Sequence, residues 1–249
     1  MNLLILGGTT EGAELARALA GDERWNATVS LAGRTLQPAP LPLPCRIGGF
    51  GGPAGLARYL TEHGIDLLID ATHPFATQMT RNAAAAAGQT RIPLLRVSRE
   101  PWRPEPGDQW VEVADMQAAA AALGPVRRRV LLTIGQKDLA PFAAAPWHDY
   151  LIRSVESPAH APPGSRLIAA RGPFEEEEER ALLEREHVEI LVTKNSGGHA
   201  TRPKLLAARA LGIAVVMVAR PPVPPCLDQV GTTAEALTWL ERHAALRGE

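Results

Sequence analysis

Short apolar runs alternate along the chain with segments in which apolar residues recur every three or four positions. A short continuous apolar run is typical of a strand buried on both faces, and the second pattern is typical of an amphipathic helix. The predicted strands lie at residues 3–6, 27–31, 66–69, 93–97, 130–134, 150–154, 166–170, 189–193 and 213–218, and the predicted helices at 11–20, 53–62, 75–87, 174–186, 200–211 and 234–246. This alternation predicts an α/β fold built on doubly wound parallel sheets.

The strands form two series, which predicts two Rossmann-like halves. A segment rich in proline and charge, residues 99–107, and a basic run, residues 127–129, bracket the crossover between them. We therefore place the domain boundary near Gly124, with residues 1–124 as the first domain and residues 125–249 as the second.

The first strand leads through a glycine turn into the first helix, as in dinucleotide-binding domains. The turn and the helix start supply five candidate cofactor-binding residues: Gly7, Gly8, Thr9, Thr10 and Glu11. Glycines allow close approach to a pyrophosphate, and the helix N-terminus offers N–H groups to its oxygens. Thr9 takes the middle glycine position of the G-x-G-x-x-G pattern, and we expect its hydroxyl to donate to a phosphate. An ordinary βα turn remains the alternative.

The end of the second strand points to NADP(H) rather than NAD(H). NAD-binding folds place an acidic residue about 20 residues after the glycine turn, where it binds the ribose. This sequence has Gly33-Arg34-Thr35 there. A guanidinium suits a 2′-phosphate, which an acid would repel. The alternative is that Arg34 is a solvated surface residue.

Two further loops of the first half supply candidate residues, and one of them, residues 70–75, follows a predicted strand, where α/β sheets bind ligands. Gly49 and Phe50 are expected to lie against an adenine or ribose, and Thr72, His73 and Pro74 to lie along the path towards the nicotinamide. His73 titrates near neutral pH. It is either a proton donor or a hydrogen-bonded turn residue, so the catalytic acid stays unassigned.

The strand ends of the second half combine cations with hydroxyls and small residues, which predicts an anionic substrate there. The candidate substrate-binding residues are Gln136, Lys137, Arg153, Ser154, Arg171, Lys194, Asn195, Ser196, Gly197, Gly198 and Lys204. Five consecutive glutamates, residues 175–179, are interpreted as structural, because carboxylates in a first helical turn complement the helix dipole and solvate the outer face.

Composition and motifs exclude several classes of function. The chain has 249 residues, 45% of them hydrophobic, and a net charge of -1, which argues against nucleic-acid binding. Two distant cysteines, Cys45 and Cys226, favour neither a metal site nor a disulfide framework. The apolar segments are too short for a membrane span, so we expect a cytoplasmic protein without membrane association.

The familiar catalytic signatures are missing from the sequence. It contains no G-x-S-x-G elbow, no P-loop and no H-E-x-x-H, which disfavours hydrolysis and ATP use. Neither Tyr59 nor Tyr150 has a lysine four residues later, so the Tyr-x-x-x-Lys pair of short-chain reductases is missing too.

Three motifs together resemble the precorrin-6A reductases of cobalamin biosynthesis, over essentially the whole chain. They are residues 5–12, residues 70–76, and residues 192–198 with Lys204-Leu205, accompanied by Arg220-Pro221. The resemblance implies two Rossmann-like domains flanking a cleft, and NADPH-dependent reduction of a ring double bond of precorrin-6A, or of its cobalt-containing counterpart, to precorrin-6B. The many carboxylates of that macrocycle match the cationic loops.

Two alternatives remain open from the sequence. One is a non-catalytic NADP(H)-sensing module, which explains the missing catalytic acid. The other is a nucleotide-sugar reductase or epimerase, which the missing Tyr-x-x-x-Lys pair disfavours.

Overall fold

The computed structural model describes residues 1–33, 39–155, 157–158, 160–224 and 227–246 of the chain. They form two compact units. The first contains Met1–Glu100 and Pro221–Glu249, and the second contains Pro101–Arg220.

A six-stranded sheet, parallel throughout, forms the centre of the first unit, in the order β12-β5-β4-β1-β2-β3. Its strands are β1 (Asn2–Leu6), β2 (Asn26–Leu31), β3 (Cys45–Ile47), β4 (Leu67–Asp70), β5 (Leu94–Val97) and β12 (Asp228–Val230). Its helices are α1 (Thr10–Leu19), α2 (Gly52–Glu62), α3 (Thr77–Thr90) and α7 (Thr233–Ala245).

The apolar run of β1 is continuous because helices cover both faces of this sheet. Leu3 and Ile5 pack into one core with α1 and α7, whereas Leu4 and Leu6 pack into the other with α2 and α3. All four side chains are almost completely buried, so each face of the strand needs an apolar residue.

The second unit has a parallel sheet of the same size, in the order β6-β11-β10-β7-β8-β9. Its strands are β6 (Trp110–Val113), β7 (Arg129–Leu132), β8 (Asp149–Ser154), β9 (Arg166–Ala169), β10 (Ile190–Lys194) and β11 (Ala214–Val218). Its helices are α4 (Met116–Ala122), α5 (Glu176–Arg185) and α6 (Pro203–Leu211), with short 3₁₀ segments at Gln136–Asp138 and Ala140–Ala144.

The two units exchange their sixth strands. β6 follows β5 in the chain but pairs with β11 in the second sheet, whereas β12 follows β11 and pairs with β5 in the first. The division therefore differs from the boundary predicted near Gly124. The prediction assumed that each unit is continuous in sequence, whereas strand pairing sends residues 101–124 to the second unit and residues 221–249 to the first.

Every predicted strand and helix is present, with ends shifted by three residues or fewer. The strands missed by the hydrophobic pattern, β3, β6 and β12, are three of the four edge strands of the two sheets. They are three or four residues long, and their side chains are largely exposed or half-buried, so they carry no apolar run. Among the described residues, no helix has both the length and the apolar character that crossing a bilayer requires.

Candidate functional site

Each sheet has one point at which its chain path reverses direction. In the first sheet this point lies between β1 and β4, and in the second between β7 and β10. Loops that leave the carboxyl ends of such strands separate from each other and form the usual ligand-binding crevice of an open α/β sheet. Most of the predicted site residues lie at or beside these two points.

The turn between β1 and α1 is shaped by close packing on one side and open space on the other. A Cβ at Gly7 would lie 2.9 Å from Cγ1 of Val29, so the turn lies tightly against β2. Gly8 has a φ of +118°, which disfavours any side chain, and the space beside its Cα is open. The turn thus presents bare backbone next to the start of α1, as a phosphate site requires.

Thr9 does not have the role expected from the sequence. It is the N-cap of α1, and its hydroxyl accepts a hydrogen bond from the Gly12 amide at 3.2 Å while donating one to the Ala71 carbonyl at 2.8 Å. The hydroxyl proton therefore ties the turn to the loop after β4 instead of being directed at a phosphate. Thr10 and Glu11 form the first turn of α1, and the Glu11 carboxylate pairs with Arg99 at 2.6 Å.

The loop after β4 is anchored by a buried carboxylate, Asp70, that was not predicted from the sequence. Asp70 accepts hydrogen bonds from the hydroxyl of Thr72 at 2.6 Å, the hydroxyl of Thr80 at 2.7 Å and the guanidinium of Arg96 at 2.8 Å. All four residues are buried. Arg96 lies directly opposite Asp70 in the pairing of β4 with β5. The pairing depends on the register between these two strands, so no signal in the order of residues marks it.

His73 is hydrogen-bonded within its own loop. Its Nδ1 accepts a hydrogen bond from the Phe75 amide at 3.2 Å, and its carbonyl accepts one from the Ala76 amide at 2.7 Å. An Nδ1 that accepts a bond holds no proton, which places the proton of the neutral ring on Nε2. Pro74, next in the chain, is buried.

Arg46, which was not predicted from the sequence either, organises the loop that contains Gly49 and Phe50. Its guanidinium donates to the hydroxyl of Ser30 at 2.8 Å and to the carbonyls of Gly48 and Gly49 at 3.0 and 3.1 Å. The guanidinium carbon also lies 3.9 Å from the centre of the Phe50 ring, within cation–π range. Arg46 comes from the short edge strand β3, so only strand pairing reveals its proximity to β2.

Three residues of the predicted nucleotide site, Gly33, Arg34 and Thr35, follow β2. Gly33 is at the end of β2 with a φ of +68°. Arg34 and Thr35, which follow it, lie outside the described residues.

In the second sheet, the two loops at the reversal point are joined by an ion pair. Lys194, at the end of β10, contacts the carboxylate of Asp138, which lies in the 3₁₀ segment after β7. Gln136 and Lys137 belong to the same segment, and Lys137 is exposed. The lysine keeps 16% of its side chain exposed and the aspartate 36%. Both partners of the ion pair therefore keep part of their side-chain surface exposed.

Asn195 supports the backbone of the second unit rather than offering a free amide. Its side-chain carbonyl accepts from the Trp102 amide at 2.8 Å, and its Nδ2 donates to the Trp102 carbonyl at 2.9 Å. Arg220 donates to the carbonyls of Asn195 and Ser196 at 2.8 and 3.0 Å. The Trp102 indole donates to the Gly198 carbonyl at 2.9 Å. Gly197 and Gly198 both have positive φ, which bends the loop between these contacts.

Arg153 and Lys204 were expected to face an anionic substrate, but both are buried. Arg153 pairs with Glu179, and its guanidinium carbon lies 4.1 Å from the centre of the Phe174 ring. Lys204 is 3% exposed, with its Nζ 5.2 Å from the Trp102 ring centre. A charge held in the interior is stabilised by such partners and is costly to separate from them.

The same ion pair agrees with a structural glutamate run but places its last member in the interior. Residues 175–178 are exposed, as expected of a solvated face, but Glu179 is buried. Among the remaining predictions of this half, Ser154 is buried at the end of β8 and Arg171 is exposed.

Tyr150 is unsuited to acid catalysis. It is buried in the second unit, and its hydroxyl donates to the Ala145 carbonyl at 3.1 Å. Burial raises the pKa of Tyr150 to about 12, since it disfavours the phenolate.

Comparison with known proteins places this arrangement in one family. Residues 2–241 match the precorrin-6x reductases CbiJ/CobK. A precorrin-6A reductase of Sinorhizobium sp is 49% identical, over 96% of this chain and 93% of its own length. The precorrin-6A reductase of Rhodobacter capsulatus is 48% identical, over 98% and 97%.

Two further comparisons extend the range of similarity. A cobalt-precorrin-6A reductase of Priestia megaterium is 29% identical, over 89% of this chain and 91% of its own length. The solved structure of a CobK precorrin-6A reductase has a TM-score of 0.92 at 46% identity and covers 98% of this chain and 97% of its own. The chain therefore belongs to the precorrin-6x reductase family, the reductases of cobalamin biosynthesis.

Proposed function

We propose that this chain uses NADPH to reduce a ring double bond of precorrin-6A, giving precorrin-6B. The observation that carries the proposal is the bare-backbone turn at Gly7 and Gly8, tied through Thr9 to the loop after β4, in a chain of this family. A pyrophosphate needs exposed amides at a helix start and close backbone approach, and both are present at this reversal point.

The residues of the first unit fit a dinucleotide along the carboxyl edge of its sheet. The turn at Gly8 and the N-terminus of α1 would hold the pyrophosphate. The loop organised by Arg46, with Gly49 and Phe50, would hold the adenosine, and Thr72, His73 and Pro74 would lie beside the nicotinamide. Bound NADPH supplies the hydride for the reduction.

The second unit would bind the acidic macrocycle. Lys194 and Lys137 are the cations at the reversal point of its sheet that retain exposed surface. The conjugated ring system accepts hydride at one carbon and a proton at the next, which reduces the need for a strong protein acid. His73, with its Nδ1 bonded to the Phe75 amide, shapes the loop in this account.

Metal-free precorrin-6A is the preferred substrate in this proposal. The precorrin-6A reductases of Sinorhizobium sp and Rhodobacter capsulatus are 49% and 48% identical to this chain, whereas the cobalt-precorrin-6A reductase of Priestia megaterium is 29% identical.

The decisive experiment is anaerobic incubation of the protein with NADPH and either precorrin-6A or cobalt-precorrin-6A, followed by absorbance and mass spectrometry. We expect NADPH oxidation and a mass gain of two hydrogens, faster with the metal-free substrate. Binding of NADPH without oxidation in the presence of either tetrapyrrole would contradict the proposal and support a sensing module. A higher kcat/KM with the cobalt compound would reverse the choice of substrate.

A matched pair of glycine variants tests whether the turn binds the cofactor. Gly8 and Gly21 both have positive φ, at +118° and +82°, and both have open space where a Cβ would lie. Gly8→Ala and Gly21→Ala should thus both strain the backbone, by about 1–3 kcal/mol each. Only Gly8→Ala should weaken NADPH binding in a calorimetric titration. Equal NADPH affinities in the two variants would remove the turn from the cofactor site.

A further inference from the structure

The buried carboxylate of Asp70 holds two different parts of the first unit through two different oxygens. Oδ1 accepts from the amide of Thr72 at 3.1 Å and from its hydroxyl at 2.6 Å. Oδ2 accepts from the hydroxyl of Thr80 at 2.7 Å and from the guanidinium of Arg96 at 2.8 Å. Asp70 is fully buried and Arg96 is 2% exposed, so solvent does not replace these partners.

The two oxygens of Asp70 hold different parts of the first unit, and only the part held by Oδ1 belongs to the candidate cofactor site. Thr80 lies in α3, and Arg96 lies in β5, so Oδ2 fastens a helix to the sheet. Thr72 begins the turn that continues into His73 and Pro74, so Oδ1 fixes the start of that turn. The residue between Asp70 and Thr72, Ala71, accepts the Thr9 hydroxyl bond from the glycine turn.

These contacts fix the position of the loop after β4 relative to the glycine turn. Ala71 also lies against α1, because a Cβ added at Gly12 would be 3.3 Å from the Ala71 Cβ. A small shift of Thr72 therefore changes the position of the turn relative to the glycine loop. Thr80 bonds the other oxygen and lies in α3, so it acts on the turn less directly than Thr72 does.

We infer that Asp70 is a positioning residue for the dinucleotide cofactor, and that it acts through Thr72 and not through Thr80. The inference rests on the proposed function, because it assigns a role towards NADPH. The same carboxylate contacts the Arg96 guanidinium at 2.8 Å, and a carboxylate oxygen holds a hydroxyl donor more firmly than a neutral acceptor does.

The two threonines provide an internally matched test. Thr72→Val and Thr80→Val each remove one hydroxyl bonded to the same carboxylate and keep nearly the same side-chain volume. Both hydroxyls come from buried residues. Thr80 also contacts Arg96, so its loss should disturb the cluster at least as much. In either variant Asp70 keeps the Arg96 ion pair, which favours a folded protein.

We expect a lower urea midpoint in both variants but a change in cofactor binding only in Thr72→Val. Its NADPH dissociation constant, measured by calorimetry without tetrapyrrole, should rise about tenfold, since it loses a charge-assisted bond that orders the turn. The dissociation constant of Thr80→Val should stay within about twofold of wild type. Thr72→Ser, which retains the hydroxyl, should restore most of the affinity.

The inference is overturned if the two valine variants weaken NADPH binding equally, or if neither does while both lose stability, because Asp70 would then be only a core anchor. Failure of Thr72→Ser to restore affinity, with the protein folded, would equally contradict a role for the hydroxyl. If the wild-type protein itself does not bind NADPH, the proposed function fails, and that result is visible before any variant is compared.

Discussion

Single charged residues at the strand ends fall into two classes once their partners are known. Arg96 and Arg153 are buried and each is paired with a buried carboxylate. Removing one partner of such a pair leaves an uncompensated charge and typically costs about 3–5 kcal/mol. Lys194 and Lys137 keep exposed surface and can meet a ligand without unpacking the protein.

Arg34→Ala should weaken binding of NADPH far more than binding of NADH. The lost interaction is a charge-assisted bond to the 2′-phosphate worth about 1.5–3 kcal/mol, or roughly 10- to 150-fold in the dissociation constant. Steady-state KM values for both cofactors measure it. Arg58→Ala is a suitable control, because Arg58 lies on α2 with 72% of its side chain exposed. An equal response to NADPH and NADH would show that Arg34 does not recognise the phosphate.

His73→Asn should retain most of kcat and leave the pH profile unchanged. An asparagine oxygen can accept the Phe75 amide in place of Nδ1 and so preserve the turn. A general acid typically contributes about 10²–10⁴-fold, which a steady-state assay detects easily. A loss of that size with NADPH binding intact, together with the disappearance of a pH dependence near neutrality, would identify His73 as the acid.

At the level of elements, the second sheet brings β7 and β10 together and thereby places Lys194 beside Asp138. Two hydrogen bonds hold the loop after β10: the Asn195 side-chain amide donates to the Trp102 carbonyl, and Arg220 donates to the Asn195 carbonyl. These hydrogen bonds fix the backbone of the loop that follows Lys194.

Lys194→Met should raise the KM for the tetrapyrrole about tenfold and leave NADPH affinity unchanged, because it removes a contact to a substrate carboxylate. Added salt should raise the wild-type KM in the same direction, since partly exposed charge contacts are screened. Asp138→Asn is the control: it removes the competing carboxylate but keeps the lysine, and should leave KM unchanged or lower it. If both variants raise KM alike, the ion pair is structural and Lys194 does not bind substrate.

The exchange of sixth strands determines which parts of the chain are stabilised together. α7 lies near the end of the sequence, yet its Trp239 is buried in the same core as Leu3, Ile5 and Leu95. The Trp239 indole donates to Asp228 of β12 at 3.1 Å. The stability of the N-terminal sheet thus depends on residues from the opposite end of the chain.

Trp239→Ala should destabilise the first unit by about 3–5 kcal/mol, as expected for truncating a buried tryptophan. Native-state hydrogen exchange should show the larger loss of amide protection in β1 and β4. Leu205→Ala, in the core of the second unit, is the matched control and should affect β10 and β11 more. A division of the chain near Gly124 predicts the opposite for Trp239→Ala, with β10 and β11 losing more protection.

Much of the local structure was predictable because both sheets are covered by helices on both faces. Buried strands such as residues 3–6 then carry uninterrupted apolar runs that are easy to recognise. Three edge strands were missed because they are short and their side chains are largely exposed or half-buried, so they carry no apolar run. Because β3 was not predicted, the position of Arg46 beside Ser30 of β2 was not predicted either.

The partners of charged side chains were not predictable from the order of residues. Glu179 and Arg153 are 26 positions apart, and nothing in a run of five glutamates marks the fifth as buried. From the sequence, the Thr9 hydroxyl could be expected to donate to a phosphate. In the structure it donates to the carbonyl of Ala71, which is 62 positions away in the chain.

The sequence by itself determined the alternation of strands and helices, the glycine turn and the family, because these depend on local periodicity and on motifs of adjacent residues. The tertiary structure decided which charges are buried, how Asp70 and Arg96 meet, and which unit receives β6 and β12. Hydrogen bonds between strands and the burial of charge depend on residues distant in the chain. No local pattern contains that information.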